Sequence, residues 1–308
     1  MAQVHSYVYT YKRKSVLALL HLNVVALQRI CVNMLYLQGY TSIVCCMRTL
    51  CFSNNKGGVG KTTSALNVGL ALARRGHRVL FCDCDPQRSL TISFDGADIP
   101  EHVGLLLMRK GEFTLDDIHA VIRPVGENVD LLPASAEMEA NEAQLPGWDA
   151  EHSTRLADIL EMVAPEYDYC VIDTKGSIGT LTWIALAATD LLYIPVDPEF
   201  YGFEGLTNLI NTCTRLRRRI NPTLRIGGIF FTKYSPAYRA RLRHDVVDLI
   251  KDHYGKEVPV FQTTIRQSTA IPNAQMAGTG LFDYAPDSTG AEDYEALTDE
   301  IIQYIHGN

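Results

Sequence analysis

The chain has 308 residues, of which 47% are hydrophobic and 20% are charged. With a mean hydropathy of -0.01, it is typical of a soluble globular protein with a sizeable core, which excludes a disordered, collagen-like or multi-span membrane chain. The formal net charge of -7 argues against a strongly basic nucleic-acid module, although it is compatible with a local basic patch.

Charge is distributed unevenly along the chain. Residues 1–48 have a net charge of +5 and contain no Asp or Glu, so the other 260 residues carry -12. We predict an N-terminal extension at 1–46 and a single domain at 47–308. The extension has three interpretations: a segment translated from a start upstream of the true one, an amphipathic accessory helix, or a membrane anchor. The first is favoured because Met47 stands just before the first predicted strand.

From residue 50 the chain alternates segments typical of strands and of helices. Buried strands are predicted at 50–54, 78–82, 129–132, 167–173, 190–196, 226–232 and 259–265. Helices are predicted at 61–75, 136–144, 152–163, 180–188, 205–220, 239–254 and 291–305. Continuous apolar strands separated by helices predict an α/β fold, in which a mostly parallel, twisted sheet carries helices on both faces.

The strongest functional pattern, KGGVGKTT, lies between the first predicted strand and the first predicted helix. It comprises Lys56, Gly57, Gly58, Val59, Gly60, Lys61, Thr62 and Thr63. Glycines let the backbone turn its N–H groups toward phosphate oxygens, and the helix N-terminus adds its dipole. We therefore predict a P-loop nucleotide site, with Lys61 on the β- and γ-phosphates and the Thr62 hydroxyl on Mg²⁺.

This loop departs from the general P-loop pattern at its start. Asn55 stands where a glycine is usual, and Lys56 adds a second lysine inside the loop. A lysine at that position can reach phosphates bound by another subunit and neutralise charge that develops during hydrolysis.

Acidic residues follow two of the predicted strands. Asp83 and Asp85 alternate with Cys84 after the second strand, and Asp173 ends the strand at 167–173. Carboxylates at the carboxyl ends of parallel strands face the ligand crevice of an open sheet. One of the first two acids can hold a Mg²⁺-bound water while the other orients the attacking water. Asp173 has the form of a second Mg²⁺ site that acts through water.

Arginines cluster on two predicted helices of this acidic domain. They are Arg215, Arg217, Arg218 and Arg219 on the first, and Arg239, Arg241 and Arg243 on the second. Binding to phosphates needs cations on one face, and the i,i+4 pairs Arg215–Arg219 and Arg239–Arg243 would each share a face. The predicted DNA contacts are Arg215, Arg218, Arg219, Arg239, Arg241 and Arg243. The alternative is an ordinary charged helix surface.

Together these motifs resemble the ParA/MinD group of P-loop ATPases, which have a deviant Walker A motif, and most closely the ParA/Soj partition ATPases. The resemblance runs from about Met47 to the C-terminus. It rests on KGGVGKTT (56–63), DCDPQ (83–87), VIDTKGSIG (171–179), IPVDPEFYGFEGL (194–206), TTIRQSTAIPNA (263–274) and YAPDSTGAEDY (284–294).

The resemblance implies ATP and Mg²⁺ as ligands and a homodimer that forms on ATP. By motif position, Lys56 acts across the dimer and Asp85 positions the hydrolytic water. The resemblance also implies that Lys61 is the P-loop lysine and that Thr62 ligates Mg²⁺. Asp83 and Asp173 would support the Mg²⁺ site.

The resemblance also implies a cytoplasmic, nucleoid-associated protein without stable membrane association. In the family, the ATP-bound dimer binds DNA without sequence preference. A centromere-binding ParB-type partner stimulates hydrolysis, and the release of DNA drives segregation of a plasmid or chromosome.

Two stretches depart from the family pattern. Lys175 and Gly176 stand where the family usually has two prolines after the Walker B Asp, and 265–268 reads IRQS in place of I-P-R-N.

Two other functions stay open. A MinD-like membrane-positioning ATPase uses a basic amphipathic C-terminal helix, whereas residues 293–308 contain four acids and no Lys or Arg. ParA-like positioning of a non-DNA cargo would use the same chemistry.

Overall fold

The computed structural model describes residues 47–94, 99–109, 111–144, 150–199 and 202–307. These residues belong to one compact unit that begins at Met47. The predicted extension at 1–46, with its three interpretations, lies outside the described residues.

Eight strands of the described chain form one sheet in the order β3-β4-β2-β5-β1-β6-β7-β8. They are β1 (Arg48–Phe52), β2 (Val79–Cys84), β3 (Arg123–Gly126), β4 (Val129–Leu132), β5 (Tyr169–Thr174), β6 (Leu191–Val196), β7 (Arg225–Thr232) and β8 (Val260–Ile265). Neighbouring strands are parallel, except that β3 pairs antiparallel with β4. This order places the carboxyl ends of β2, β5 and β1 side by side in the middle of one edge.

Helices connect the strands across both faces of the sheet. They are α1 (Lys61–Arg74), α2 (Ser89–Phe94), α3 (Val103–Met108), α4 (Leu115–His119), α5 (Glu137–Gln144), α6 (Ala150–Val163), α7 (Thr180–Ala187), α8 (Gly202–Arg219), α9 (Arg241–Tyr254), α10 (Ala270–Met276), α11 (Leu281–Tyr284) and α12 (Thr289–Gly307). A short 3-10 helix at Ala164–Glu166 leads into β5.

The core consists of two apolar clusters, one on each face of the sheet. Helices α6, α7, α8 and α9 cover one face, and α1 and α12 cover the other. Because both faces are covered, β2, β5 and β6 are buried along their whole length, as expected for parallel strands with helices on either side. The predicted fold class is therefore confirmed.

Short and edge elements are where the sequence-based prediction differs from the structure. The edge strand β3 and the helices α2, α3, α4, α10 and α11 were not predicted. Strand β3 is only four residues long and contains Pro124 and Gly126, residues that weaken a strand pattern and are tolerated mainly at sheet edges.

The start of α9 corrects one prediction about the arginines. Ala240 caps this helix with φ -126° and ψ 75°, so the helix begins at Arg241. Arg239 therefore lies before the helix, and the predicted i,i+4 pairing of Arg239 with Arg243 on one helical face is wrong. Arg215 and Arg219 both lie within α8, as predicted.

The terminal helix α12 fixes the helix that follows the phosphate loop. The Tyr294 hydroxyl lies 3.2 Å from the Ser64 hydroxyl of α1, and Arg75 forms an ion pair of 2.7 Å with Asp299. Arg266, just after β8, holds Asp293 at 2.7 Å. The first helix of the domain is thus anchored by the last.

Candidate phosphate and metal site

The loop between β1 and α1 makes a turn with backbone angles that favour glycine. Gly58 and Gly60 have φ values of 71° and 86°, a left-handed conformation that side chains disfavour. A Cβ built on Gly57 or Gly58 would meet no atom within 4 Å. Gly60 caps α1 without a side-chain hydrogen bond, so the N-terminus of α1 and this space form a place for an anion.

Lys61 is held inside this loop. Its ammonium donates a 3.1 Å hydrogen bond to the carbonyl of Lys56, and the residue is buried. Burial lowers the pKa of Lys61, while nearby Asp173 and Asp85 act to raise it. The structure therefore brings Lys61 together with two of the predicted acids.

Lys56 points in another direction and is paired within its own chain. Its ammonium lies 2.5 Å from a carboxylate oxygen of Glu199, and this contact lowers the pKa of Glu199. The sequence did not predict Glu199 as a member of the site, although it belongs to the quoted stretch at 194–206.

Asp83 and Asp173 are cross-strand neighbours on β2 and β5, and both are fully buried. Asp83 accepts bonds of 2.8 Å from the backbone N–H and the hydroxyl of Thr91, and a bond of 3.0 Å from the Asp85 N–H. Burial raises the pKa of Asp83 to about 6 despite these bonds. The carboxylate of Asp83 is thus oriented by its own turn and helix.

Asp173 differs because neither of its carboxylate oxygens accepts a hydrogen bond of normal geometry within the described residues, although the Thr62 side chain is close enough to lower its pKa. Burial, followed by the nearby Asp83, raises the pKa of Asp173 well above its usual range, while Thr62 and Lys61 oppose the rise. A buried, unpartnered carboxyl is costly, and it stands next to the Thr62 hydroxyl. A divalent cation beside Thr62 would supply the missing positive charge.

These residues fit Mg²⁺ that is shared with a ligand. In the described part of the chain, no group of three or more His, Cys, Asp or Glu side chains is arranged to hold a metal by itself. Mg²⁺ needs six oxygen ligands and usually keeps several waters. The Thr62 hydroxyl, waters held by carboxylates, and phosphate oxygens on the loop would complete that set.

Asp85 follows β2 and stands at the edge of the cluster. Its carboxylate accepts a 2.9 Å bond from the Gln87 N–H, and its charge acts on both Lys61 and Asp173. This places a partly buried carboxylate near the phosphate end of the loop. Its predicted role with the attacking water stays a prediction.

One further residue at the loop was not predicted, because it lies far from the loop along the chain. Lys233, just after β7, donates a 2.7 Å bond to the Gly58 carbonyl and pairs with buried Asp197 at 3.3 Å. Its φ of 52° is unusual for lysine. No local motif marks a lysine after a strand, so the sequence carried little signal for it.

The predicted arginine clusters lie at opposite ends of β7. Arg215, Arg217, Arg218 and Arg219 are exposed at the end of α8, which leads into the start of β7, and Arg239 and Arg241 are exposed after its end. Eight residues of strand separate the two clusters by about 25 Å. They therefore form two surfaces, and the second lies on the same edge of the sheet as the phosphate loop.

Arg243 does not join the exposed cluster. It donates a 2.6 Å bond to the Lys233 carbonyl and lies 3.4 Å from Asp197. Its charge is therefore engaged next to the phosphate loop, which leaves Arg239 and Arg241 as the exposed arginines of this edge.

The fold and the loop define a P-loop nucleotide-binding protein, and comparisons with known proteins agree. The family described as AAA domain matches residues 47–226. The chromosome partitioning protein ParA of Caulobacter vibrioides is 34% identical over 258 residues, covering 83% of this chain and 94% of that protein. The sporulation initiation inhibitor protein Soj of Bacillus subtilis is 35% identical over 257 residues, covering 82% and 98%.

A solved structure also aligns closely with the fold. It is a cobyrinic acid a,c-diamide synthase from Mycobacterium smegmatis with a bound ATP analogue and magnesium, which is 28% identical. The match covers 85% of this chain and 97% of that chain, with a TM-score of 0.71. This chain belongs to the ParA/Soj family of P-loop ATPases, a family that uses ATP and Mg²⁺.

Proposed function

We propose that this protein binds ATP with Mg²⁺ and hydrolyses it to ADP and phosphate. The observation that carries this proposal is the open glycine loop next to the buried, unpartnered carboxylate of Asp173. A phosphate chain bound on the loop would bring Mg²⁺ next to the Thr62 hydroxyl, and the positive charge of the cation would offset the negative charge of the buried Asp173 carboxylate. Lys61 then moves from the Lys56 carbonyl to the β- and γ-phosphates, a role that its buried position supports.

The second part of the proposal is a partition function. The ATP-bound protein dimerises, binds DNA without sequence preference and associates with the nucleoid. A ParB-type partner then stimulates hydrolysis and releases the DNA, so that a plasmid or chromosome is moved. Similarity to ParA and Soj over more than four fifths of the chain supports this part.

A MinD-like membrane function has less support. The apolar side of α12 is buried, with Tyr294, Leu297 and Ile301 packed into the core. Among the helices of the described residues, none has the length and apolar character needed to cross a bilayer. Transport of a non-DNA cargo would use the same site.

Asn in place of Asp173 tests the metal assignment. We expect the nucleotide-free variant to be more stable than the wild type by about 1 kcal/mol or more, because the buried charge is gone. We expect Mg²⁺-dependent ATP binding or turnover to fall by about 10–100-fold. Chemical denaturation without nucleotide and titration with Mg²⁺-ATP measure the two effects.

The pH dependence of the stability of the nucleotide-free protein is a second test of Asp173, and its direction follows from the raised pKa of this carboxyl. A carboxyl with a raised pKa in the folded protein stabilises the fold when protonated, and that contribution is lost as the pH rises through the folded pKa. Wild-type stability without nucleotide should therefore decline above the ordinary carboxyl range, and Asp173→Asn should flatten the decline. Asp168→Asn is the control, since it removes bonds to Arg78 and should not raise stability. A variant with unchanged stability and Mg²⁺ binding would contradict the assignment.

Replacing both Arg239 and Arg241 by Glu tests DNA binding at the edge that carries the phosphate loop. We expect DNA affinity in the presence of ATP to fall by about 10-fold or more, and the salt dependence of binding to become shallower, because two phosphate contacts are lost. ATP turnover without DNA should be retained. The matched variant Arg217→Glu/Arg218→Glu probes the other end of β7. Unchanged affinity in both variants across a salt titration would contradict the assignment of DNA binding to these arginines.

A further inference from the structure

A single carboxylate of α5 holds both ends of the loop that follows β5. One oxygen of Glu142 forms an ion pair with the ammonium of Lys175, the first residue of the loop at 175–179. The other oxygen accepts a 3.2 Å bond from the N–H of Leu181, in the first turn of α7. Glu142 therefore fixes where this loop begins and where it ends.

The pair is well shielded from water. The side chains of Lys175 and Glu142 are 21% and 13% exposed, so their attraction is screened less than that of a surface pair. The packing around them is also tight, since a Cβ on Gly179 would overlap the Glu142 carboxylate and approach Lys175 Cε to 3.0 Å. A side chain at position 179 would therefore displace the Glu142 carboxylate or the Lys175 side chain.

The middle of the loop touches the phosphate site. A Cβ on Gly176 would lie 3.4 Å from Lys61 Nζ and 3.5 Å from Gly57 Cα. The backbone of the loop is therefore packed against Lys61, the lysine that would contact the β- and γ-phosphates. The hydroxyl of Thr182 adds a 2.8 Å bond to the Ser177 carbonyl, which ties the loop to α7 a second time.

We propose that Glu142 is a positioning residue that sets the preference of the site for a nucleoside triphosphate over a diphosphate. Through Lys175 and the Leu181 N–H, it holds the loop at 175–179 against Lys61, so that the loop is in place to meet a γ-phosphate. A diphosphate lacks the γ-phosphate that would meet this loop. Glu142 itself does not touch the nucleotide, and the inference rests on the proposed function.

The test compares the dissociation constants of Mg²⁺-ADP and of a non-hydrolysable Mg²⁺-ATP analogue on the full chain. Glu142→Gln keeps an acceptor for Leu181 but removes the ion pair, and Lys175→Met removes the pair from the other side. We expect both variants to weaken binding of the analogue by about 10-fold, within the range usual for coupling between sites, and to leave ADP binding within about 2-fold of the wild type. In turnover, KM for ATP rises and kcat falls.

Two variants control for general effects on folding. Lys175→Arg keeps the positive charge and should retain the wild-type preference for the analogue over ADP. Glu139→Gln changes an exposed acid on the same helix and should have no effect. Trp183 lies in the first turn of α7, where its backbone N–H donates a 3.1 Å hydrogen bond to the Gly179 carbonyl. In a Trp148→Phe background its fluorescence reports the loop, and the analogue should shift it in the wild type but less in Glu142→Gln.

The outcomes separate this inference from the proposed function. Equal weakening of both nucleotides, or an unchanged ratio of the two constants, overturns the positioning role while leaving the ATPase proposal intact. A wild type that binds neither nucleotide overturns both.

Discussion

Replacing Lys56 by Ala is expected to reduce ATP hydrolysis by about 10³-fold or more, the range found when a charge supplied across an interface is removed from phosphoryl transfer. ATP binding to the protomer should stay within a few-fold of the wild type, because Lys61, Thr62 and the glycine turn are untouched. The physical reason is that the Lys56 ammonium pairs with Glu199, whereas Lys61 and Thr62 would supply the phosphate and metal contacts within the protomer. Phosphate release and nucleotide titration measure the two quantities.

Glu199→Gln is the matched variant for this prediction. It weakens the partner that holds Lys56 within the protomer, so the lysine becomes free to reach a second subunit. We expect hydrolysis to be retained, with dimerisation on ATP at lower protein concentration. If Lys56→Ala hydrolysed ATP at the wild-type rate, the role of Lys56 across the dimer would be wrong.

The second large effect is expected at Asp85. Removal of its carboxylate should slow hydrolysis by about 10²–10⁴-fold, the usual contribution of a group that orients or deprotonates a reacting water. ATP and Mg²⁺ should still bind, so the protein should accumulate as an ATP-bound dimer. Single-turnover hydrolysis and sedimentation in the presence of ATP provide the readouts.

Two substitutions at this position separate charge from local structure. Asp85→Asn keeps an acceptor for the Gln87 N–H and removes only the charge, whereas Asp85→Ala removes both. Equal losses in the two variants would assign the effect to the charge. An Asp85→Asn protein that turns over ATP normally would show that another group orients the water.

The sequence predicted the parts of this protein that depend on local patterns. Glycine spacing and position after a strand predicted the turn at Gly58 and Gly60, and the acids at strand ends predicted that Asp83 and Asp173 lie together. Both features follow from neighbours in the chain and from the rule that ligands bind at the carboxyl edge of a parallel sheet.

Other features of the site depend on contacts between distant segments, which periodicity does not encode. Glu142 precedes Lys175 by 33 residues, and Lys233 follows Gly58 by 175 residues. The engagement of Arg243 by Asp197 likewise depends on how β6, β7 and α9 meet. In each case tertiary packing gives a charged side chain a partner that is distant in the sequence.

The anchoring of α1 by α12 has a consequence for the order of events during synthesis. Ser64 and Tyr294 are 230 residues apart, so at 5–20 residues per second the phosphate loop leaves the ribosome roughly 10 to 50 s before its anchor exists. During that interval the apolar side of α1 has no α12 to cover it. A competent nucleotide pocket should therefore appear only after translation has passed α12.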